Sequence, residues 1–422
     1  MTRQWSAPAF AAALALVTAA GLFVRGGAWP DAAVPASPGL VGTPAPAVPT
    51  PAPGPPTRPA DVVASPQSLA SPASSESIAA LPTLRLRATA RLPIPPGAPS
   101  AHAAALAAWS PSAGAAPQLL AVWWAGSRES GPDVRVFLSR LGPQGWTAPR
   151  AIVDRESLGL ALGAGVRRIG NPVLHAAPDG RLHLFVVATG LGGWAAGRVA
   201  HLVASGPDAP FVPQRLLPLT PLANTSVLVR AQPVPLVDGG WWLPAYFEIG
   251  RKVPMALRFA ADGTLTGIER IGRSATSLQP TLIPLRDGRL LALMRDHGPE
   301  RRIQVAEREA GPAGRWRDLA SLPLGNVDTA VAAVSLGGAG LVMAHNDTSP
   351  PGSTPRSVLR LQHSVDGLAW QPGPVVQQGE PGAEFSYPNL LVLGTQLHVV
   401  YTHRREGIGH VVFDLEPAVG SR

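Results

Sequence analysis

The chain has no cysteine, so any chemistry it performs must use oxygen, imidazole or guanidinium groups. Disulfides, thiol catalysis, Cys-type zinc sites and iron–sulfur clusters are excluded together. Tyrosine is scarce, with Tyr246, Tyr387 and Tyr401 the only three. Tyr246 and Glu248 share one face of a β-like run by period-two alternation, which would let the carboxylate act as a base toward that face. Arg295 ends the run LLALMR, and Arg404 with Arg405 follows VVYTH. A guanidinium at a strand end is rigidly carried and can grip a carboxylate bidentately. Arg295 and Arg404, with Arg230 behind them, are therefore candidate anion binders. Asp133 opens a strand after a loop that also holds Arg128 and Glu129. The ten histidines show neither His-x-His nor His-Glu-x-x-His spacing, and His398 and His403 fall on opposite strand faces, so no metal site is expected. The stretch LGLALGAG at 158–165 lacks a P-loop Lys-Ser/Thr and a βαβ frame, and no cofactor is expected.

The framework that carries these groups must be poor in helix. Gly and Pro number 45 and 48 among 422 residues, well above average usage, while 45% hydrophobic content leaves ample material for a core. The net charge of +8 comes from singly scattered arginines with Lys252 the one lysine. No basic run or aromatic RNA-binding signature accompanies them, which argues against nucleic acid and for an anionic small ligand or an envelope surface.

Three segments follow from composition. Residues 1–27 contain an apolar stretch, Ala7 to Val24, between Arg3 and Arg25. A helix of that length can just cross a hydrocarbon layer of about 30 Å, so a signal anchor or signal peptide is expected. Residues 28–82 are rich in Pro, Ala and Ser and read as a disordered tether. Together these place the remainder, 83–422, at the cell envelope: in the periplasm on an inner-membrane anchor, or secreted if the signal is cleaved. The oligomeric state is not legible.

In that remainder, turns at Gly114 to Gln118, Pro178-Asp179-Gly180, Asp238-Gly239-Gly240, Asp287-Gly288, Gly337-Gly338 and Gly394-Thr395 recur roughly every 50 to 65 residues. Each is followed by an apolar strand, and most by a third strand such as RIQVAERE or GHVVFDL. Six sheets of three to four strands without helical stretches predict an all-β, six-bladed β-propeller. The last unit lacks an outer strand, and TLRLRATA at 83–90 alternates as a strand should, so it is expected to close the ring there. Ser364-Val-Asp366-Gly367-Leu-Ala-Trp370 predicts a turn whose hydroxyl and carboxylate accept backbone N–H groups. The pairs Trp123-Trp124 and Trp241-Trp242 send one ring to each strand face, one expected in the core and the other available as a sugar platform.

The ordered series His102-Ala-Ala, AVWWAGSRESGPDVRVFLSR, Gly170-Asn171-Pro172, Gly-Gly-Trp194, Leu278-Gln279-Pro280, Met-Arg295-Asp296, Ser386-Tyr387-Pro388 and Tyr401-Thr402 resembles the bacterial BNR-repeat, sialidase-like six-bladed propellers. The turn at 364–370 likewise resembles their Asp box, shortened by one residue. The resemblance implies a glycoside hydrolase acting on an acidic sugar, in which a neutral tyrosine replaces a carboxylate nucleophile that the substrate's own carboxylate would repel. Carried onto this chain, it implies Tyr387 as nucleophile, Glu248 as its base and Asp133 as acid/base. His102, Arg128, Arg230, Arg295, Arg404, Gln279 and Trp194 would contact the sugar. One departure stands out: where the family has an Arg-Ile-Pro arginine on the first inner strand, this chain has Ser100-Ala-His102-Ala-Ala. Two alternatives stay open: a propeller that binds glycan or protein without turnover, and a lyase on uronic-acid polymers in which His102 or Tyr387 abstracts the proton beside a carboxylate.

Overall fold

In the computed structural model, which describes residues 81–417 apart from 113, 222 and 223, short apolar runs broken by Gly, Asp and Pro turns form 26 strands. The first, β1 (Thr83–Arg91), is reserved for the last sheet. Blade 1 runs outward as β2 (Ser100–Trp109), β3 (Gln118–Gly126) and β4 (Arg135–Gly142), with β5 (Gly145–Trp146) and β6 (Arg150–Asp154) both on β4. Blade 2 is β7 (Arg168–Ala176), β8 (Leu182–Thr189), β9 (Gly197–Ala204) and β10 (Val212–Leu216). In blade 3 the inner strand is split into β11 (Val227–Val229) and β12 (Val234–Pro235), followed by β13 (Trp241–Phe247), β14 (Val253–Phe259) and β15 (Leu265–Arg270). Blade 4 holds β16 (Ser277–Pro284), β17 (Leu290–Asp296), β18 (Gln304–Arg308) and β19 (Trp316–Leu319). Blade 5 holds β20 (Ala332–Ser335), β21 (Leu341–Asn346), β22 (Val358–Ser364) and β23 (Gln371–Gln378). Blade 6 holds β24 (Phe385–Leu393), β25 (Gln396–His403) and β26 (Gly407–Glu416).

Every blade is antiparallel, and the first strands touch around the ring, β2 packing on both β7 and β24. All six turns expected from the sequence lie between the first and second strands of a blade. β1 pairs antiparallel with β26 from Thr83↔Glu416 to Arg91↔Gly409, so the start of the described chain supplies the last blade's outer strand and covers its edge. The anchor at 1–27 and nearly all of the tether at 28–82 lie outside the described residues. Among the described residues no helix is long and apolar enough to cross a membrane.

The core lies between blades in six apolar clusters. It corrects the reading of the tryptophan pairs. Trp123 and Trp124 go to two different clusters, as do Trp241 and Trp242, and all four are buried. A blade is packed on both faces, so alternation leaves neither ring free. A short helix was not foreseen: α1 (Arg155–Ala161) follows β6, where the Asp154 carboxylate accepts the N–H groups of Glu156 and Ser157. The expected turn at the end of β22 is formed. Ser364 Oγ accepts the Gly367 N–H at 2.8 Å, and Asp366 Oδ1 accepts those of Leu368 and Ala369 at 2.8 and 2.9 Å. Trp370 Nε1 donates to the Gly367 carbonyl.

Candidate functional site

The inner strands share an irregularity that aims side chains away from the ladder. β2, β7, β16 and β24 each slip register near their beginning, between His102/Ala105, Gly170/Val173, Leu278/Thr281 and Ser386/Asn389. Ala103, Asn171, Gln279 and Tyr387 sit at these bulges with φ of 55°, 44°, 50° and 53°. Asp328, ahead of β20, has φ 59°. A left-handed backbone at a non-glycine residue costs on the order of 1–3 kcal/mol and persists only where the surroundings impose it. Pro172, Pro280 and Pro388 follow three of these residues, and a bulge is where proline's missing N–H costs the sheet no ladder bond. In blade 3 the inner strand breaks instead, and Arg230 lies in the gap.

These positions bring five of the expected residues together. Gln279, almost fully buried, is the hub: its Oε1 accepts Arg295 Nη1 at 3.1 Å, which turns its Nε2 toward Tyr246 Oη at 3.2 Å and Tyr387 Oη at 3.5 Å. The half-buried Tyr387 ring lies 4.2 Å from the His102 ring and 5.1 Å from the Arg230 guanidinium carbon. His102 is buried, and desolvation, helped by Arg405, holds it well below the usual histidine range, so it is neutral.

Arg230 is the electrostatic exception. It donates Nη2 to the Pro388 carbonyl, while its Nε and Nη1 are buried with no partner among the described residues. Burial pulls its pKa down to about 10, partly offset by Tyr387 and Tyr246, so the side chain stays charged at neutral pH. Arg295, by contrast, has a counterion: its Nε donates to Asp328 Oδ1 at 2.5 Å. Its pKa is raised, the Asp328 hydrogen bond and nearby tyrosines outweighing desolvation. Tyr246 is pushed up by desolvation and then by the Glu248 charge.

The other expected residues stand apart from this contact network. Glu248 follows the end of β13; its charge acts on Tyr246, and the hydroxyl partner of Tyr387 is the Gln279 amide. The Asp133 carboxylate is turned onto its own loop, accepting Ser127 N–H at 2.6 Å and Ser127 Oγ at 2.7 Å; the Ser127 hydroxyl leads in lowering its pKa. Arg128 is exposed in the same loop. Arg404 pairs with Glu380 at 2.7 Å, while its neighbour Arg405 is the one whose charge acts on His102. Trp194 lies in a short 3-10 helix, Gly193–Ala196, over Gly170, where a β-carbon would stand 2.7 Å from its Cη2. Only glycine admits that ring.

Four ionisable residues near the cluster were not singled out from sequence. Glu384 accepts Arg356 Nη1 at 2.7 Å and Arg405 Nε at 2.9 Å, and Arg405 also pairs with Glu129. Despite desolvation, its hydrogen bonds and two arginines bring Glu384 down to about 2. Asp328 accepts His297 Nδ1 at 2.9 Å with its second oxygen. Local pattern signals none of these, because each depends on a partner from another strand or blade. Among the described residues no group of three or more metal-ligating side chains occurs.

Residues 117–399 match the family model described as BNR repeat-like domain. No protein with a curated function matches the sequence. Among solved structures the fold is similar to a Hadza microbial sialidase, with a TM-score of 0.58 and 14% identity over 76% of this chain and 66% of that one. It is similar to a protein of unknown function from Dyadobacter fermentans, with a TM-score of 0.62 and 12% identity over 80% of this chain and 100% of that one. For Trypanosoma rangeli sialidase the TM-score is 0.56 and the identity 14%, over 78% of this chain and 58% of that one. The chain thus spans less than two thirds of the length of either sialidase, and at these identities the likeness is one of fold.

Proposed function

The chain belongs to the BNR repeat-like domain family, and on that footing we propose that its propeller hydrolyses a glycoside of a carboxylated sugar, with Tyr387 as nucleophile. The observation that carries this reading is Arg230, a buried guanidinium with two unpartnered nitrogens beside the Tyr387 ring. A buried charge without a counterion costs several kcal/mol, and a ligand carboxylate is the group that would offset it. Arg295 and Gln279 add donors on the same side, and Trp194 an apolar surface at the neighbouring bulge. A similar structure supports the class of ligand: that of Trypanosoma rangeli sialidase in complex with sialic acid. Attack by Tyr387 needs the phenol proton to leave, and a cationic neighbour stabilises the phenolate that results. The apolar run and the Pro-rich segment ahead of the propeller make the cell envelope the proposed place of action.

The test is release of 4-methylumbelliferone from its sialic acid glycoside. Wild-type protein should release it, and Tyr387→Phe should lose at least 100-fold in kcat while still binding sialic acid. Equal turnover by the two would remove Tyr387 from the chemistry.

One observation favours a second reading, elimination at a uronic acid. The ring packed on Tyr387 is a neutral imidazole, and among the described residues no carboxylate reaches its hydroxyl. Such a reaction would release an unsaturated product absorbing in the ultraviolet, whereas hydrolysis would release none.

A further inference from the structure

Proton transfer to a leaving oxygen needs a group that can be protonated near neutral pH and has a free atom to give the proton from. Four carboxylates around the cluster are held by partners of their own. Asp133 is tied to Ser127, Glu384 to Arg356 and Arg405, Glu129 to Arg405 and Glu380 to Arg404. His102 is buried and neutral. His403 is taken by Arg91, 3.0 Å from its Nε2.

His297 differs from all of these. Its side chain is 55% exposed, and its Nδ1 lies 2.9 Å from Asp328 Oδ2. A carboxylate accepts only, so Nδ1 carries the proton and the other nitrogen, Nε2, is left free. This is the arrangement by which a carboxylate fixes one tautomer of a catalytic imidazole and stabilises its cation. Both residues are held by backbone. His297 follows the end of β17, with its N–H on the Thr276 carbonyl at 3.0 Å. Asp328 occupies a left-handed position between Asn326 and Thr329, whose side chains and backbone are cross-bonded. The pair joins the cluster directly, because the other Asp328 oxygen takes Arg295, Arg295 takes Gln279, and Gln279 reaches Tyr387. Asp328 carries the charge in contact with His297, and Arg295 lies on its other oxygen.

We propose that His297, oriented by Asp328, is the acid/base residue of this site; the proposal rests on the hydrolase reading above. In the first step His297, as the imidazolium that the Asp328 carboxylate stabilises, gives its Nε2 proton to the leaving oxygen as the C–O bond breaks. The Tyr387 oxygen bonds to the anomeric carbon, its own proton passing to solvent. In the second step water attacks that carbon and gives one proton to Nε2. Tyr387 departs as phenolate and regains its proton from solvent.

The test compares two leaving groups. 4-Methylumbelliferyl sialoside carries an activated aryl group that hardly needs protonation, whereas sialyllactose carries an alkyl oxygen that does. His297→Gln should lose at least 100-fold in kcat on sialyllactose, within the range of general acid catalysis. It should lose less than 10-fold on the aryl glycoside, with KM nearly unchanged. Asp328→Asn should show the same split more weakly. Equal losses on both substrates, or none, would overturn the assignment. Wild-type turnover of the aryl glycoside, lost in Tyr387→Phe, tests the hydrolase reading separately. If wild-type protein cleaves neither substrate, that reading fails and the role of His297 falls with it.

Discussion

The imidazole of His102 and the phenol of Tyr387 lie 4.2 Å apart, centroid to centroid, with their planes at 56°. The imidazole stands where the resemblance would put an arginine, and the contact makes it a support for the phenol. His102→Ala should lower kcat on the aryl sialoside about tenfold with KM changed less than threefold, because Tyr387 loses its backing. His102→Arg should instead lower the melting temperature, since it buries a cation near Arg230 and Arg405.

Gln279 satisfies three partners with one amide. Gln279→Leu fits the volume but orphans the Tyr246 hydroxyl as acceptor and Arg295 Nη1 as donor, and each such loss costs roughly 1–3 kcal/mol. The expected outcome is a fall in denaturant midpoint with an unchanged m-value, together with weaker sialic acid binding.

Acid should destabilise the fold before its carboxylates titrate. His183 and His201 are hydrogen-bonded at 3.0 Å, as are His398 and His410 at 3.1 Å. Burial lowers these four to about 4, 3, 4 and 3 in order. The unfolded chain takes up these protons near the ordinary value of about 6.5 and the folded one does not. Stability is therefore fully present above pH 6.5 and falls as pH drops toward 4. Calorimetry at pH 7.5 and 5.0 should show the lower melting temperature at pH 5.0, and His183→Phe should reduce the difference.

The outer strand of blade 6 comes from the other end of the propeller. A chain starting at Leu92 should leave β26 as an open edge and bury less apolar surface. It should melt lower and self-associate, as read by calorimetry and light scattering.

Much of the fold was legible because its signals are local. Gly and Asp turns such as Pro178-Asp179-Gly180 announce hairpins by themselves, and TLRLRATA alternated with no edge of its own to pair with. The bulge residues Tyr387 and Gln279 and the clustered His102 and Arg295 were reachable through the order of their motifs, and Arg230 as a third guanidinium behind Arg295 and Arg404. Asp328, His297, Glu384 and Arg356 were not, because each matters only through a side-chain contact that tertiary structure creates. Arg404 and Arg405 stand side by side in a turn with φ of 55° and 58°, and only tertiary structure separates the one paired with Glu380 from the one whose charge acts on His102. The paired tryptophans misled because period two says which face a ring takes and not whether a neighbouring blade covers it.

Arg230 as a carboxylate receptor is the claim on which the functional account stands. Isothermal titration calorimetry of sialic acid and of its methyl ester, against wild-type protein and Arg230→Ala, tests it most directly. The account predicts that wild-type protein binds the acid at least 10-fold more tightly than the ester, since a charge-assisted hydrogen bond is worth roughly 1.5–3 kcal/mol. It also predicts that Arg230→Ala abolishes the preference. Equal binding of acid and ester by wild-type protein, or an undiminished preference in Arg230→Ala, would contradict it.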